Sequence, residues 1–356
     1  MFLALRELKY AKMRYLLIGF IMVLISLLVL FVSGLAKGLS SDNASSIQKM
    51  NADYFVLQKD SQNRLNRSVL SEEQVNNIEK LTKDHPSTPF GIQMTNITKN
   101  GSSTKIDVTM FAIDVKGMLA PPIVEGKMID SSTSNAIIAD QSLKENGLTL
   151  GDHIEDQITG KTYKISGFTS GQSFSHSPVI YMNLKEWEAT NKPLNAIALQ
   201  SPDPIAKKEL SGVNVISKTE ALKGIPGYQE EQGSLMMMIA FLFVIAAFVL
   251  AVFFYVITIQ KMNQFGVLKA IGAKSSYLAR NIMSQVLALS IVSLVISIGL
   301  SYGISLVLPS SMPFDLSPQL VATCSGLFLA VSVIGSLLSL YQVAKIDALE
   351  AIGRAA

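Results

Sequence analysis

Residues 235–260 read LMMMIAFLFVIAAFVLAVFFYVITIQ, a stretch without a single Asp, Glu, Lys or Arg. A helix of this length on the surface of a soluble domain needs a polar face, and this one has none. It lies in a longer charge-free gap between Glu231 and Lys261. Three more such gaps run from Arg14 to Lys37, from Arg280 to Asp315 and from Asp315 to Lys345. Each exceeds the roughly 20 residues that cross a hydrocarbon core as helix. Lipid offers no partner to backbone N–H and C=O groups, so each run must be helical. The expected spans are 15–36, 233–259, 281–308 and 320–342.

The composition agrees. Of 356 residues, 49% are hydrophobic and 16% charged, against about 25% charged in a soluble domain. The net charge of +3 decides nothing; its placement does. Basic residues flank the spans at Arg6, Lys9, Lys12 and Arg14, at Lys261, Lys269, Lys274 and Arg280, and at Lys345 and Arg354. The connection PSSMPFDLSPQ, at 309–319, has none. The positive-inside rule then places both termini and the 260–280 segment in the cytoplasm of a multi-pass cell-membrane protein. Residues 1–14 read as a cytoplasmic amphipathic helix and 343–356 as a cytoplasmic tail. Segment 309–319 is an outer loop. The first apolar run is longer than a signal-peptide core, so it reads as an uncleaved anchor.

Segment 37–232 is long enough, at roughly 190 residues, for a domain with its own core. Its alternating runs, DYFVLQ, FGIQMTNIT, KIDVTMFAID, NAIIAD, DHIEDQIT, KTYKISGFT, PVIYMN and NAIALQ, read as strands, with a last one at Val213–Ile216. Ser71-Glu72-Glu73-Gln74 is a capping box that opens a helix to about Asp84. NLKEWEATN and SPDPIAKKELSG read as further helices. The expected fold is four transmembrane α-helices with a large extracytoplasmic α+β domain between the first and second. Short polar joints at Lys37–Ser46 and Thr219–Gln232 are expected to connect the domain to the membrane.

Most catalytic chemistry is absent from the pattern. The single cysteine, Cys324, falls inside the fourth span, so the outer domain has no disulfide. His85, His153 and His176 are dispersed, no HExxH or GxSxG occurs, and no basic–aromatic interleaving points to nucleic acid. Gly272-Ala273-Lys274-Ser275 resembles the end of a phosphate loop, but Ala273 breaks the required Gly-Lys step. No ionisable residue lies mid-span, whereas proton-coupled pumps place one there. Work against a gradient therefore needs energy from elsewhere.

Between the second and third spans, Phe265, Leu268 and Ile271 recur at helical spacing, with Lys261 and Lys269 off that stripe. This is a short amphipathic helix, either lying against lipid or docking a cytoplasmic partner. KMNQFGVLKAIGAKSSYLARN resembles the cytoplasmic segment of the FtsX/MacB-like permeases of ABC transporters. KIDALEAIG resembles that family's carboxyl end, with Ala348 for its proline. NGLTLGDHIEDQITGKTYKISGF is similar to its outer-domain pattern. The resemblance covers the whole chain. It implies an outer α+β domain and a separate cytoplasmic ATPase, which binds ATP and Mg2+ and docks on Phe265, Gly266, Leu268, Lys269, Ala270, Gly272 and Ala273. Gln264 and Phe265 depart from the family's acidic residue and isoleucine. This chain is then not itself an enzyme and carries no intrinsic cofactor.

Within the family, GYQEEQ followed by the quoted span is similar to the permeases of haem-regulated, Hrt-type transporters, which export haem in Gram-positive bacteria. Haem is flat and apolar, carries two carboxylates, and has an iron that accepts Tyr, His, Met or Cys. Two stretches are expected to meet it at the outer boundary: Ser33, Gly34, Lys37 and Gly38, and Tyr228, Glu230, Glu231 and Met236–Met238, with Met237 among them. Tyr228 supplies a phenolate and Lys37 meets a carboxylate. Each residue also has a bland reading. Tyr228 suits a membrane-interface belt. Glu230 and Glu231 suit a helix start. The methionines suit adaptable packing, and Gly34 and Gly38 suit close helix contact. His176, in FSHSP, reads as a surface residue. A pathway between two helices of one copy would be open to lipid, so the expected assembly is a homodimer with two ATPases. A mechanical regulator of an outer cell-wall partner and a peptide or antibiotic permease are the alternatives.

Overall fold

The computed structural model describes residues 12–83, 85–130, 134–190, 192–201, 212–309 and 312–344. Residues 1–11 of the expected amino-terminal helix, residues 202–211 of the SPDPIAKKELSG stretch and the tail beyond Ala344 lie outside these. The chain divides into a membrane unit, built from Met1–Gly38, Ser234–Pro309 and Phe314–Ala356, and an outer unit, built from Leu39–Gly233 and Ser310–Pro313.

Helix α1 (Lys12–Lys49) is longer than the span expected from charge. The segment read as a polar joint, from Lys37 to Ser46, is helical. LSSDNASSIQK is rich in Ser, Asn and Asp, which compete with helical hydrogen bonds and favour turns. Packing overrides that preference, because Ala44 and Ile47, one turn apart, are fully buried in the core of the outer unit.

The outer unit continues with β1 (Tyr54–Gln58), α2 (Glu72–Leu81), β2 (Ser87–Lys99), β3 (Lys105–Ile113), β4 (Ile123–Gly126), β5 (Ala136–Asp140), β6 (His153–Asp156), β7 (Thr162–Thr169), β8 (Ser173–Phe174), β9 (Ser177–Asn183), α3 (Leu184–Glu188), β10 (Ala196–Leu199), β11 (Val213–Ser217) and α4 (Lys218–Lys223). The Ser71–Gln74 capping box forms at the start of α2 as expected. A second one, Ser217–Glu220, opens α4, which runs into the region read as a joint from Thr219.

Strand β2 organises the sheet. Its first residues pair with β10, which leads through β1 to β11, all antiparallel. From Gly91 onward β2 pairs with β3. The ladder then passes through β9, β5, β7 and β6, and β6 pairs back onto Ile97–Lys99 of β2. This path closes on itself as a small barrel. Alternation along the strands separates two cores. Val108, Met110 and Ala112 of β3, with Ile137, Ala139, Ile180 and Met182, fill one. Phe111, Ile113, Ile138, Val179 and Tyr181 face the other, which the end of α1 covers together with Ala221 and Ile225. Trp187 packs so closely on Gly91 that a Cβ there would lie 2.5 Å from its ring. Glycine is required by this approach.

The membrane unit adds α5 (Tyr228–Gln260), α6 (Met262–Ala270), α7 (Ser275–Ser305) and α8 (Pro318–Ala344). Helices α1, α5, α7 and α8 are long and apolar enough to cross a membrane. Ile18, Met22, Leu250, Phe254, Ile282, Val286 and Phe328 form their common core. Serines link α1 to α7: the Ser26 and Ser297 hydroxyls lie 2.5 Å apart, and Ser297 also donates to the Val23 carbonyl at 2.9 Å. Small hydroxyl residues allow this close approach in lipid.

Candidate functional site

The outer unit gathers its polar groups where the end of α1 meets the first turn of α5. Asn43, fully buried on α1, donates from Nδ2 to Glu231 Oε2 at 2.7 Å. Its carbonyl accepts from the Ser175 N–H at 2.7 Å. Ser175 and His176 form the two-residue loop between β8 and β9, with φ of 52° and 60°. Positive φ at both positions is the geometry of a type I′ hairpin turn. The turn aims the imidazole back at α1 and α5. His176 Nδ1 lies 2.9 Å from Asp42 Oδ2, and Nε2 lies 3.4 Å from Glu231 Oε2. A protonated His176 therefore bridges two carboxylates.

Tyr228 opens α5, half-buried against the core beneath α1. Its hydroxyl is 3.5 Å from Gln48 Nε2, the outer limit of a hydrogen bond. Glu230 is exposed and Glu231 half-buried. Tyr228 and Glu231, both expected from sequence to meet a ligand, lie on the first turn of α5. The sequence reading missed Asn43, Gln48 and His176 as their neighbours. The available signal for His176 was the polar turn SHS between two strand runs, and it lacked any indication of what the turn faces.

In the membrane unit, the first-helix residues expected to meet a ligand divide. Lys37 is exposed, while Ser33 and Gly34 are buried. A Cβ on Gly34 would lie 2.8 Å from the Phe314 ring, and the Gly34 carbonyl accepts from the Asp315 N–H at 3.1 Å. Gly34 is a packing position for the loop before α8. Met236, Met237 and Met238 are exposed, and the apolar face of α5 continues through Phe241, Ile245 and Phe248.

The segment between α5 and α7 folds as the expected short helix, α6, with its faces assigned differently from the sequence reading. Phe265, expected to dock a partner, is only 1% exposed and belongs to the core of the membrane unit. Gly266 is buried beside it, and Leu268 and Lys269 are half-buried. Asn263 and Gln264 are exposed at its start, and Val267, Ala270, Ile271 and Gly272 are exposed toward its end. Helical rotation explains the change, because Phe265 and Leu268 share the face turned to the bundle. Gly272 ends the helix at φ 97°, in the left-handed conformation that favours glycine. Lys261, read as lying off the stripe, is buried.

Among the described residues no group of His, Cys, Asp and Glu is arranged to hold a metal ion.

A family model, FtsX-like permease C-terminal, matches residues 236–348. The chain is 34% identical, over 99% of both chains, to a protein of Staphylococcus haemolyticus named as hemin transport system permease protein HrtB. It is 32% identical, again over 99% of both, to the protein of that name in Staphylococcus epidermidis. Among solved structures, the extracellular domain of the noncanonical ABC-type transporter YknZ from Gram-positive bacteria aligns with 43% of this chain and 83% of its own, at 14% identity and a TM-score of 0.31.

Proposed function

This chain belongs to the FtsX-like permeases of ABC transporters, and from that premise we propose that it is the membrane subunit of a haem exporter. The observation that carries the reading is the 34% identity, end to end, with a permease named for hemin transport. The ATPase of such a transporter is a separate subunit, and ATP and Mg2+ bind there.

Haem partitions into the membrane, and its removal requires a surface that accepts a flat apolar ring with two carboxylates. The uncovered apolar face of α5, beginning at Met236–Met238, is suited to the ring. Tyr228 and Glu231 are the residues proposed to meet the iron or its surroundings. Exposed Lys37 is suited to a carboxylate. Buried Ser33 and Gly34 pack α1 and leave the ligand set. A second copy of the chain completes the pathway, since one copy leaves the apolar faces of α1 and α5 uncovered. Both termini and α6 face the cytoplasm, and the outer unit faces outward.

The proposed mechanism is mechanical. Closure of two ATPases on ATP moves α6 through its exposed face at Val267, Ala270, Ile271 and Gly272. Helices α1 and α5 are unbroken over Lys12–Lys49 and Tyr228–Gln260 and can carry a tilt across the bilayer. The tilt narrows the space between the two copies and expels haem outward.

Titration of the purified chain with haemin in lipid nanodiscs tests the reading. A saturable Soret shift is expected, weakened in Tyr228→Phe and Glu231→Ala. Binding no greater than that of empty nanodiscs would overturn it.

A further inference from the structure

Helix α5 ends at Gln260 and α6 begins at Met262. Between them Lys261 has φ −100° and ψ 1°, so the chain bends there. The residue at this bend is only 6% exposed. Its Nζ donates to the Tyr15 hydroxyl of α1 at 2.6 Å and to Gln285 Oε1 of α7 at 3.0 Å. The Tyr15 hydroxyl also donates to Gln285 Oε1, at 3.0 Å. The three side chains form a closed triangle, all of it buried. Beside it lies a cavity of about 20 Å³ that Thr258 also lines, room for one water molecule.

From this geometry we infer that Lys261, Tyr15 and Gln285 form a latch that makes α6 and the base of α1 move as one body. The inference rests on the reading of α6 as the helix that receives the ATPase's motion, and it is independent of what is transported. A break in a helix beside the point where force arrives absorbs the force as bending. A tie from the bend to two neighbouring helices removes that freedom. Hydrogen bonds among desolvated groups suit the task, because breaking one leaves a buried polar atom unsatisfied. Phe265, one turn further on, is buried in the same bundle, so α6 is held at two points and cannot roll about the bend. Motion given to α6 then reaches α1 directly as well as through α5.

The lysine is the element specific to the latch. Tyr15 also donates to Gln285, so an apolar residue at 261 leaves that hydrogen bond in place while it removes the tie to the bend. Lys261 is thus a positioning residue, acting through Tyr15 on α1.

The test uses the full permease in complex with its ATPase, in nanodiscs. Spin labels go on exposed Asn263→Cys of α6 and Leu24→Cys of α1, in a Cys324→Ser background diluted with unlabelled chains. The label-to-label distance is measured without nucleotide and after trapping with ATP and vanadate. The latch requires the distance to hold between the two states to within about 2 Å, the scale of shifts inside a packed interface. In Lys261→Met and in Tyr15→Phe, which deletes a single oxygen, the trapped-state distance is expected to shift or broaden. A loss of general stability would alter both states alike. A distance that changes equally in the unmodified and substituted chains, or that stays fixed in all of them, would overturn the latch. Haemin efflux by the same complex tests the cargo separately.

Discussion

Asn43 Nδ2 lies 2.7 Å from Glu231 Oε2, joining the helix that enters the outer unit to the helix that leaves it. Asn43 is fully buried and the acceptor is a carboxylate, so this contact outranks its neighbours. A hydrogen bond to a charged group contributes about 1.5–3 kcal/mol. The His176 contacts to Asp42 and Glu231 involve a side chain 46% exposed, and such surface pairs contribute at most about 1 kcal/mol. Asn43→Ala should therefore lower the melting temperature of the purified chain clearly more than His176→Ala. The reverse order would show that the turn, not the helix pair, secures this end of the unit.

Acid sensitivity has an identifiable source in the barrel. Burial of Asp156 pushes its pKa up, but hydroxyl donors Thr159 and Thr95, the Ile158 N–H and the nearby Lys192 outweigh burial and hold it below the ordinary value. Both hydroxyl contacts are 2.5 Å. A depressed folded-state pKa stabilises fully above the unfolded value and is lost as pH falls through the folded one. The melting temperature of the unmodified chain should fall as pH is lowered below about 4, the ordinary range of an Asp carboxyl. Asp156→Asn should be less stable at neutral pH and lose part of that slope. An unchanged slope would remove Asp156 as the source.

Gly91→Ala should destabilise the outer unit by about 1–3 kcal/mol, the usual cost of overpacking a filled core. The new methyl would press on the Trp187 ring from 2.5 Å. Denaturant unfolding followed by Trp187 fluorescence measures this, since the sequence contains one Trp. A variant equal to the parent would mean that the ring moves aside freely.

The faces of α6 have separable roles. Phe265→Ala should cost about 3–5 kcal/mol of stability, as truncation of a buried Phe does. Val267→Asp and Ile271→Asp, at exposed positions, should leave the melting temperature nearly unchanged and weaken pull-down of the ATPase. Equal ATPase capture by those two variants and the parent would place the docking surface elsewhere.

The membrane helices were legible because lipid imposes a local rule: no charge over a long run. The strands were legible from alternation, as in KIDVTMFAI, which is β3. What escaped depends on contacts distant in sequence. Residues 39–49 carry serines and Asn43, which argue against helix, and only the outer core around Ala44 and Ile47 makes them helical. Barrel closure depends on β6 reaching β2, which no local pattern encodes. At α6 the apolar spacing identified a helix correctly, but periodicity alone cannot say whether its apolar side meets the bundle or a partner. Lys261 looked like an exposed flank charge because Tyr15 and Gln285, its partners, lie on other helices. At the outer site Tyr228 and Glu231 stood out by residue type and position, whereas His176 is brought to Glu231 and Asp42 only by its turn.

The proposed removal of haem from the membrane through this chain is driven by ATP. Its most direct test is haemin release from proteoliposomes holding the permease and its ATPase, with ATP supplied at the ATPase side. Release into the opposite compartment is expected, abolished when the ATPase is made unable to hydrolyse ATP and reduced by Glu231→Ala. Release at the same rate with the inactive ATPase, or none with the active one, would contradict it.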